Sequence, residues 1–126
     1  MFTMITKTVE EMHAAFKAQG VPKEHLAFIC PMCGTVQSCQ SLIKAGAGTT
    51  VEAVEHYIGF SCVGRWTKAG EPPRKPIENN TKGCNWTLGG LFKLHRLEVL
   101  LPNGDRQPSF EVASAEQAQA LMERNK

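Results

Sequence analysis

Cys30-Pro31-Met32-Cys33-Gly34 is the stretch on which the reading of this sequence turns. Two thiolates three positions apart can grip one tetrahedral ion when the backbone between them folds into a tight knuckle. Gly34, directly after the second thiol, suits that knuckle: glycine accepts the left-handed backbone such a turn needs, and its bare amide can approach a ligand sulfur.

A knuckle supplies half of a zinc-ribbon or rubredoxin-type site, so two further ligands are needed. Cys62 in GFSCVGRW and Cys84 in KGCNW both have glycines close by, giving the spacing C-x2-C-x28-C-x21-C. A tetrahedral zinc site needs ligands that meet in space, not at a fixed sequence interval. Cys30, Cys33, Cys62 and Cys84 are therefore the expected ligands of one structural Zn2+. Cys39 falls within a short helical segment and reads as a small buried apolar residue. His25 and His56 stay open as substitute ligands, although a lone helical histidine is more often a surface or core residue.

Working outward, the chain reads as a small α+β domain, with an expected element order of α-β-α-α-β-β-β-α. Thr8 and Glu11 form a capping box that opens an N-terminal helix, with Val9, Met12 and Phe16 on one face and Gly20 and Pro22 as its stop. Residues 26–29 read as a strand leading into Cys30. Residues 38–45 read as a helix, and Thr49 with Glu52 as the capping box of another, running to Ile58. Residues 60–66 have strand character. Residues 67–83 form a polar loop, since Gly70, Pro72, Pro73, Pro76, Asn79 and Asn80 exclude regular structure. Residues 85–92 then return to ordered structure. Leu97, Val99 and Leu101 alternate, as do Phe110 and Val112, and Asn103-Gly104 between them signals a two-residue hairpin turn. Ser114 and Gln117 cap a last helix with Ala118, Leu121 and Met122 inward. The 126 residues fit one zinc-binding domain: an N-terminal helix within 1–22, a zinc-site region at 25–96, and a hairpin plus helix at 97–126.

The N-terminus carries charges where a secretion signal needs an apolar stretch, and no apolar run reaches the roughly 20 residues of a membrane span. Five cysteines without such a signal suggest a reducing compartment, where clustered thiols more often bind metal or react than form disulfides. The formal charge is +2, but four thiolates around one divalent ion bring the loaded protein close to neutrality. The charge is also uneven: residues 30–96 carry eight Lys/Arg against four Glu, so any basic face belongs to the cysteine-containing middle.

Few catalytic patterns are present. There is no GxSxG and no HExxH, and Gly46-Ala47-Gly48-Thr49 lacks the lysine of a P-loop. The HxE of zinc deaminases is missing, and four thiolates would leave no open position for an activated water. Glu52, Glu55, Glu71 and Glu78 form no paired arrangement. A thiol redox role is the rival for the knuckle, since Cys-Pro-x-Cys also follows apolar strands in glutaredoxin-like folds. Against it, Gly34-Thr35 interrupts the helix that role requires, and the alternating parallel strands are missing. Arg65, Trp66, Lys68, Arg74, Lys75, Lys82 and Trp86 form the candidate partner surface, and the basic content continues in Lys93, His95 and Arg96. Basic side chains near tryptophans can follow phosphates and stack bases. Tryptophans can equally pack over a metal site.

At CPMCGTVQ (30–37), GFSCVGRW (59–66) and GCNWTLGGLF (83–92), the chain resembles a family of small uncharacterised proteins encoded in phages and prophages and carrying a CPxCG zinc knuckle. The resemblance covers roughly residues 25–115. It implies a setting in the bacterial host cytoplasm and raises the prior for an accessory role. The expected function is a non-enzymatic zinc-binding module that engages a host protein or defence complex, as in counter-defence. The alternative is a nucleic-acid-binding zinc module, with thiol redox activity third.

Overall fold

The computed structural model describes residues 5–87 and 97–125. Over these residues the fold is α+β, with five helices and two three-stranded sheets. Strand β1 (Ile5–Thr8) precedes helix α1 (Val9–Gln19), so the N-terminal helix has a strand in front of it that its sequence pattern does not announce. Thr8 serves both elements. It ends β1 and caps α1, accepting from Glu11 N while Glu11 accepts from Thr8 N at 2.9 Å. Gly20 closes α1 in the left-handed conformation.

After a 3-10 turn at Lys23–His25 come β2 (Phe28–Ile29), β3 (Val36–Gln37), α2 (Cys39–Ala45), α3 (Val51–Val54) and α4 (Gly64–Thr67). The last elements are β4 (Leu97–Leu100), β5 (Arg106–Ser109), β6 (Glu111–Val112) and α5 (Ala115–Arg124). One sheet has the order β1-β4-β5, with β1 parallel and β5 antiparallel to β4. The other has the order β3-β2-β6, antiparallel throughout.

Four local expectations need correction. The second capping box is displaced: Thr50, not Thr49, accepts from Ala53 N at 3.2 Å, which leaves Glu52 one position short of reaching back. Helix α3 then tightens into turns, with Phe60 N–H bonded to Tyr57 O beside Gly59 at φ +82. Residues 60–66 are not a strand. Only Ser61 bridges to Thr87, and the Arg65 amide turns back onto Cys62 O to start α4. The hairpin turn has three residues, not two. Leu101 N bonds Asp105 O, Gly104 N bonds Leu101 O, and only Gly104 takes positive φ, while Asn103 Oδ1 accepts from Asp105 N. The run through Phe110 is two strands. Phe110 leaves the first sheet, donates its amide to Gly59 O at 2.7 Å, and passes the chain to the second sheet as β6. Of the ordered segment expected at 85–92, residues 85–87 are described; 88–92, like Lys93, His95 and Arg96, lie outside the described residues.

Gln19 fastens these layers at one point. It is 1% exposed; its side-chain amide donates to Ala27 O and Ala113 O at 2.9 Å each and accepts from Ala27 N at 2.8 Å. A buried amide with its capacity filled in this way fixes α1 against β2 and the end of β6. The largest apolar cluster contains Met12, Phe28, Leu97 and Phe110 together with the four expected ligand cysteines. Hydrophobic packing and the candidate site are therefore the same region of the molecule.

Candidate metal centre

The first half of the site is the knuckle. Residues 30–35 fold back on themselves: Gly34 N donates to Cys30 O at 2.9 Å and Cys30 N to Thr35 O at 3.0 Å. The Gly34 amide thus closes the turn instead of approaching a sulfur. Gly34 sits at φ +81, and a Cβ there would overlap the Ile77 carbonyl. The 67–83 loop presses directly on the knuckle: Ile77 N and Asn80 Nδ2 both donate to Cys33 O, at 3.0 and 2.9 Å.

The second half is built by two glycines. A Cβ on Gly64 would meet the backbone of Gly83 and Cys84, and one on Gly83 would meet the backbone of Gly64. This close approach lets the Cys84 amide donate to Cys62 Sγ at 3.2 Å. Behind it, Cys62 N bonds Trp86 O at 3.0 Å, and the hydroxyls of Ser61 and Thr87 meet at 2.7 Å.

The four thiols converge. Cys30 Sγ lies 3.8 Å from Cys84 Sγ, Cys33 Sγ lies 3.7 Å from Cys62 Sγ, and all four sulfurs fall within 4.8 Å of one another. A tetrahedral ion with metal–sulfur bonds of about 2.3 Å has sulfur–sulfur edges of about 3.8 Å. The cluster therefore has the dimensions of a metal cage, and each of the four cysteines is fully buried.

Two buried polar side chains tune this cage, and sequence reasoning missed both. Thr35 is 2% exposed; its hydroxyl accepts from Gly83 N at 2.9 Å, leaving its own proton for Cys33 Sγ at 3.0 Å. Gln37 is fully buried. Val63 N donates to its Oε1 at 2.7 Å, which turns its Nε2 toward Cys62 Sγ at 3.5 Å. Donors aimed at sulfur favour thiolate over thiol and hold ligands in register. The available signal was their place in CPMCGTVQ, two and four residues past Cys33.

Without a cation, four packed thiols cannot all ionise, and they divide. Hydrogen bonds from Cys30, then Cys33 and Cys84, pull Cys62 far down. Cys33 is lowered to about 7, first by Cys30. Cys30 is pushed up, first by its bond to Cys33. At Cys84 the lowering bond from Cys30 is outweighed by Cys33, Cys62 and burial, and the thiol rises. A divalent ion removes this conflict by stabilising every thiolate at once.

The family model described as VVA0879-like matches residues 8–113. The chain belongs to the VVA0879-like family. All four cysteines, Thr35 and Gln37 lie inside the matched region, and helix α5 lies beyond it. No curated protein and no solved structure matches this chain.

The remaining sequence candidates sit apart from the cage. Cys39 is 5% exposed and packs with Leu42 and Val54, and burial pushes its thiol up. His56 lies against Tyr57, with ring centroids 3.9 Å apart, and the Nδ1 of His25 is buried without a hydrogen-bond partner among the described residues. Lys68, Arg74, Lys75 and Lys82 are exposed. Arg65 is exposed too, with its guanidinium 5.6 Å from the Trp66 ring centroid. The tryptophans are half-buried: Trp66 packs on Tyr57 with centroids 4.9 Å apart, and Trp86 stacks on Phe110 at 5.8 Å and 19°. No helix among the described residues is long and apolar enough to cross a membrane.

Proposed function

We propose that this chain is a non-enzymatic zinc module of phage origin, acting in the bacterial host cytoplasm, whose metal holds a surface that engages a host protein or defence complex. The observation that carries the reading is the closed cage of four fully buried thiols. An all-thiolate set of four suits Zn2+ and leaves no vacant position for a substrate or an activated water, which supports a structural over a catalytic metal. Burial of both knuckle thiols also favours metal binding over thiol exchange, which needs an accessible sulfur.

The partner surface lies on the outer side of the 67–83 loop. Ile77 is 53% exposed although its backbone is bonded to the knuckle, and Arg74 and Lys75 stand exposed beside it. A large exposed apolar side chain on a pinned loop, with charged residues on either side in sequence, has the make-up of a binding anchor. A nucleic-acid reading is favoured by the same exposed cations, but the packing of Trp66 and Trp86 against their neighbours leaves less of each ring free for base stacking.

Affinity capture from host lysate tests the first reading. The tagged, metal-loaded chain is expected to retain a specific protein that Ile77→Asp releases; retention of nothing above background would count against it. A binding assay on single- and double-stranded DNA and RNA at two salt concentrations tests the second. Strong salt-dependent binding weakened by Arg74→Ala with Lys75→Ala would replace the protein-partner reading.

A further inference from the structure

Beside the cage, a cleft of about 300 Å³ opens between α2, the end of the 67–83 loop and the C-terminal turn of α5. Its apolar floor includes Val36, Val63 and Leu121. Three cations line it from three separate elements: Lys44, Lys82 and Arg124. No carboxylate is part of its lining, and the polar groups that complete it are hydroxyls and an amide, among them Ser41, Thr81 and Asn125.

The three cations of this cleft form no ion pair with a carboxylate of the described residues. Among the described residues, Lys23 pairs with Glu55 and Arg106 with Glu98, but Lys44, Lys82 and Arg124 have no carboxylate within 4 Å. Acidic side chains do occur close to Arg124. Glu78 and Glu116 border the adjoining cleft that Arg124 also flanks, and Glu123 precedes Arg124 on the helix. Three like charges gathered on one concavity repel one another, and a bound anion relieves that repulsion while satisfying fixed donors.

The cleft is also held in shape. Thr35 lines it and hydrogen-bonds Cys33 Sγ; Val63 lines it and positions the Gln37 amide that reaches Cys62. Asn125 donates to Ser41 Oγ at 3.2 Å, tying α5 to the start of α2. Two walls are therefore fixed by the cysteine cage and a third by a helix-to-helix bond. A preformed site binds without the ordering cost of a loose surface.

We infer that this cleft binds a phosphate group, with Lys44, Lys82 and Arg124 as its cationic grip and the Val36–Val63–Leu121 floor receiving the organic body of a phosphate ester. This holds whichever macromolecule the Ile77 face engages, because Ile77, Arg74 and Lys75 are not part of the cleft's lining. Arg124 can take two phosphate oxygens in its planar fork, with the lysines as point charges.

The test is a heteronuclear NMR titration of the metal-loaded full chain at constant ionic strength, with inorganic phosphate, adenosine monophosphate and a single-stranded oligonucleotide as separate probes and chloride as control. Saturable shifts centred on Ser41, Lys44, Lys82 and Arg124 are expected with phosphate, and tighter binding with the monophosphate, which also reaches the floor. If the oligonucleotide binds tightest, the phosphate is taken from a nucleic-acid backbone at the same residues. Lys44→Glu with Arg124→Glu, both exposed and expected to fold, should weaken every probe by about tenfold or more. Lys17→Glu with Arg106→Glu, exposed and outside the cleft, should weaken none by a comparable factor. Shifts no different from chloride for all three probes would overturn the inference, and so would equal losses in both double variants, which would indicate diffuse surface charge.

Discussion

The two halves of the cysteine cage are assembled by different means. The knuckle half is local: Cys30 and Cys33 are brought together by a six-residue turn closed by two hydrogen bonds of its own, onto which the 67–83 loop docks. The Cys62–Cys84 half is assembled over 21 intervening residues and depends on Gly64 and Gly83 letting two backbones touch. A local turn forms at low entropic cost, whereas a long loop must be closed before its contacts repay it. A metal in the cage would therefore matter most to the second half, where the chain alone supplies two glycines, a short bridge at Ser61 and Thr87, and an amide on a sulfur.

Removing one ligand from either half probes this contrast with the largest effect. Cys30→Ser and Cys84→Ser should both lose the metal and cooperative thermal unfolding, because structural metal binding contributes to folding by about 10 kcal/mol or more. If Cys84→Ser keeps metal and melts like wild type, the cage is held by the knuckle alone. Next in size is Gly83→Ala, which adds a Cβ against Gly64 at a residue with φ +74. It should lower stability by roughly 2–4 kcal/mol in chemical denaturation and weaken metal retention against a chelator. An unchanged denaturation midpoint would mean the two backbones do not touch in solution.

Gln37→Leu is milder and more specific. It removes the amide donor to Cys62 Sγ and the acceptor of the Val63 amide, so competition with a chromogenic chelator should show metal affinity reduced by about 10–100-fold while the loaded chain keeps its fold. Wild-type affinity would show that the contact to sulfur contributes nothing. Smallest is Cys39→Ala, which trims a thiol packed beside Leu42 and Val54. It should cost about 1 kcal/mol in stability with metal stoichiometry unchanged, and any loss of metal would return Cys39 to the ligand set.

The same contrast explains what was legible in the sequence. Capping boxes at Thr8 and Ser114, the α2 helix and the knuckle all depend on residues within a few positions of each other, and each is found where the local pattern puts it. The cysteines could be grouped because burial of clustered thiols has few outcomes besides a shared metal. Local reasoning failed where distant contacts decide. Residues 60–66 have β-branched and aromatic character, yet the approach of Gly83 turns them into a bridge and a short helix. β1 exists because β4, more than 80 residues away, offers it a parallel edge. Phe110 looks like the middle of one strand, and only the Gly59 carbonyl makes it the crossing between two sheets. Thr35 and Gln37 were missed for a related reason: a threonine and a glutamine carry no mark of burial until Gly83 and Val63 supply their partners.

Native mass spectrometry of the full chain, purified without added metal and measured before and after a chelator, tests the central claim most directly. One zinc ion per chain is expected with all five cysteines reduced, and stripping the zinc should abolish the folded charge-state distribution. A folded chain carrying no metal, two mass units lighter from a disulfide between Cys30 and Cys33, would contradict it.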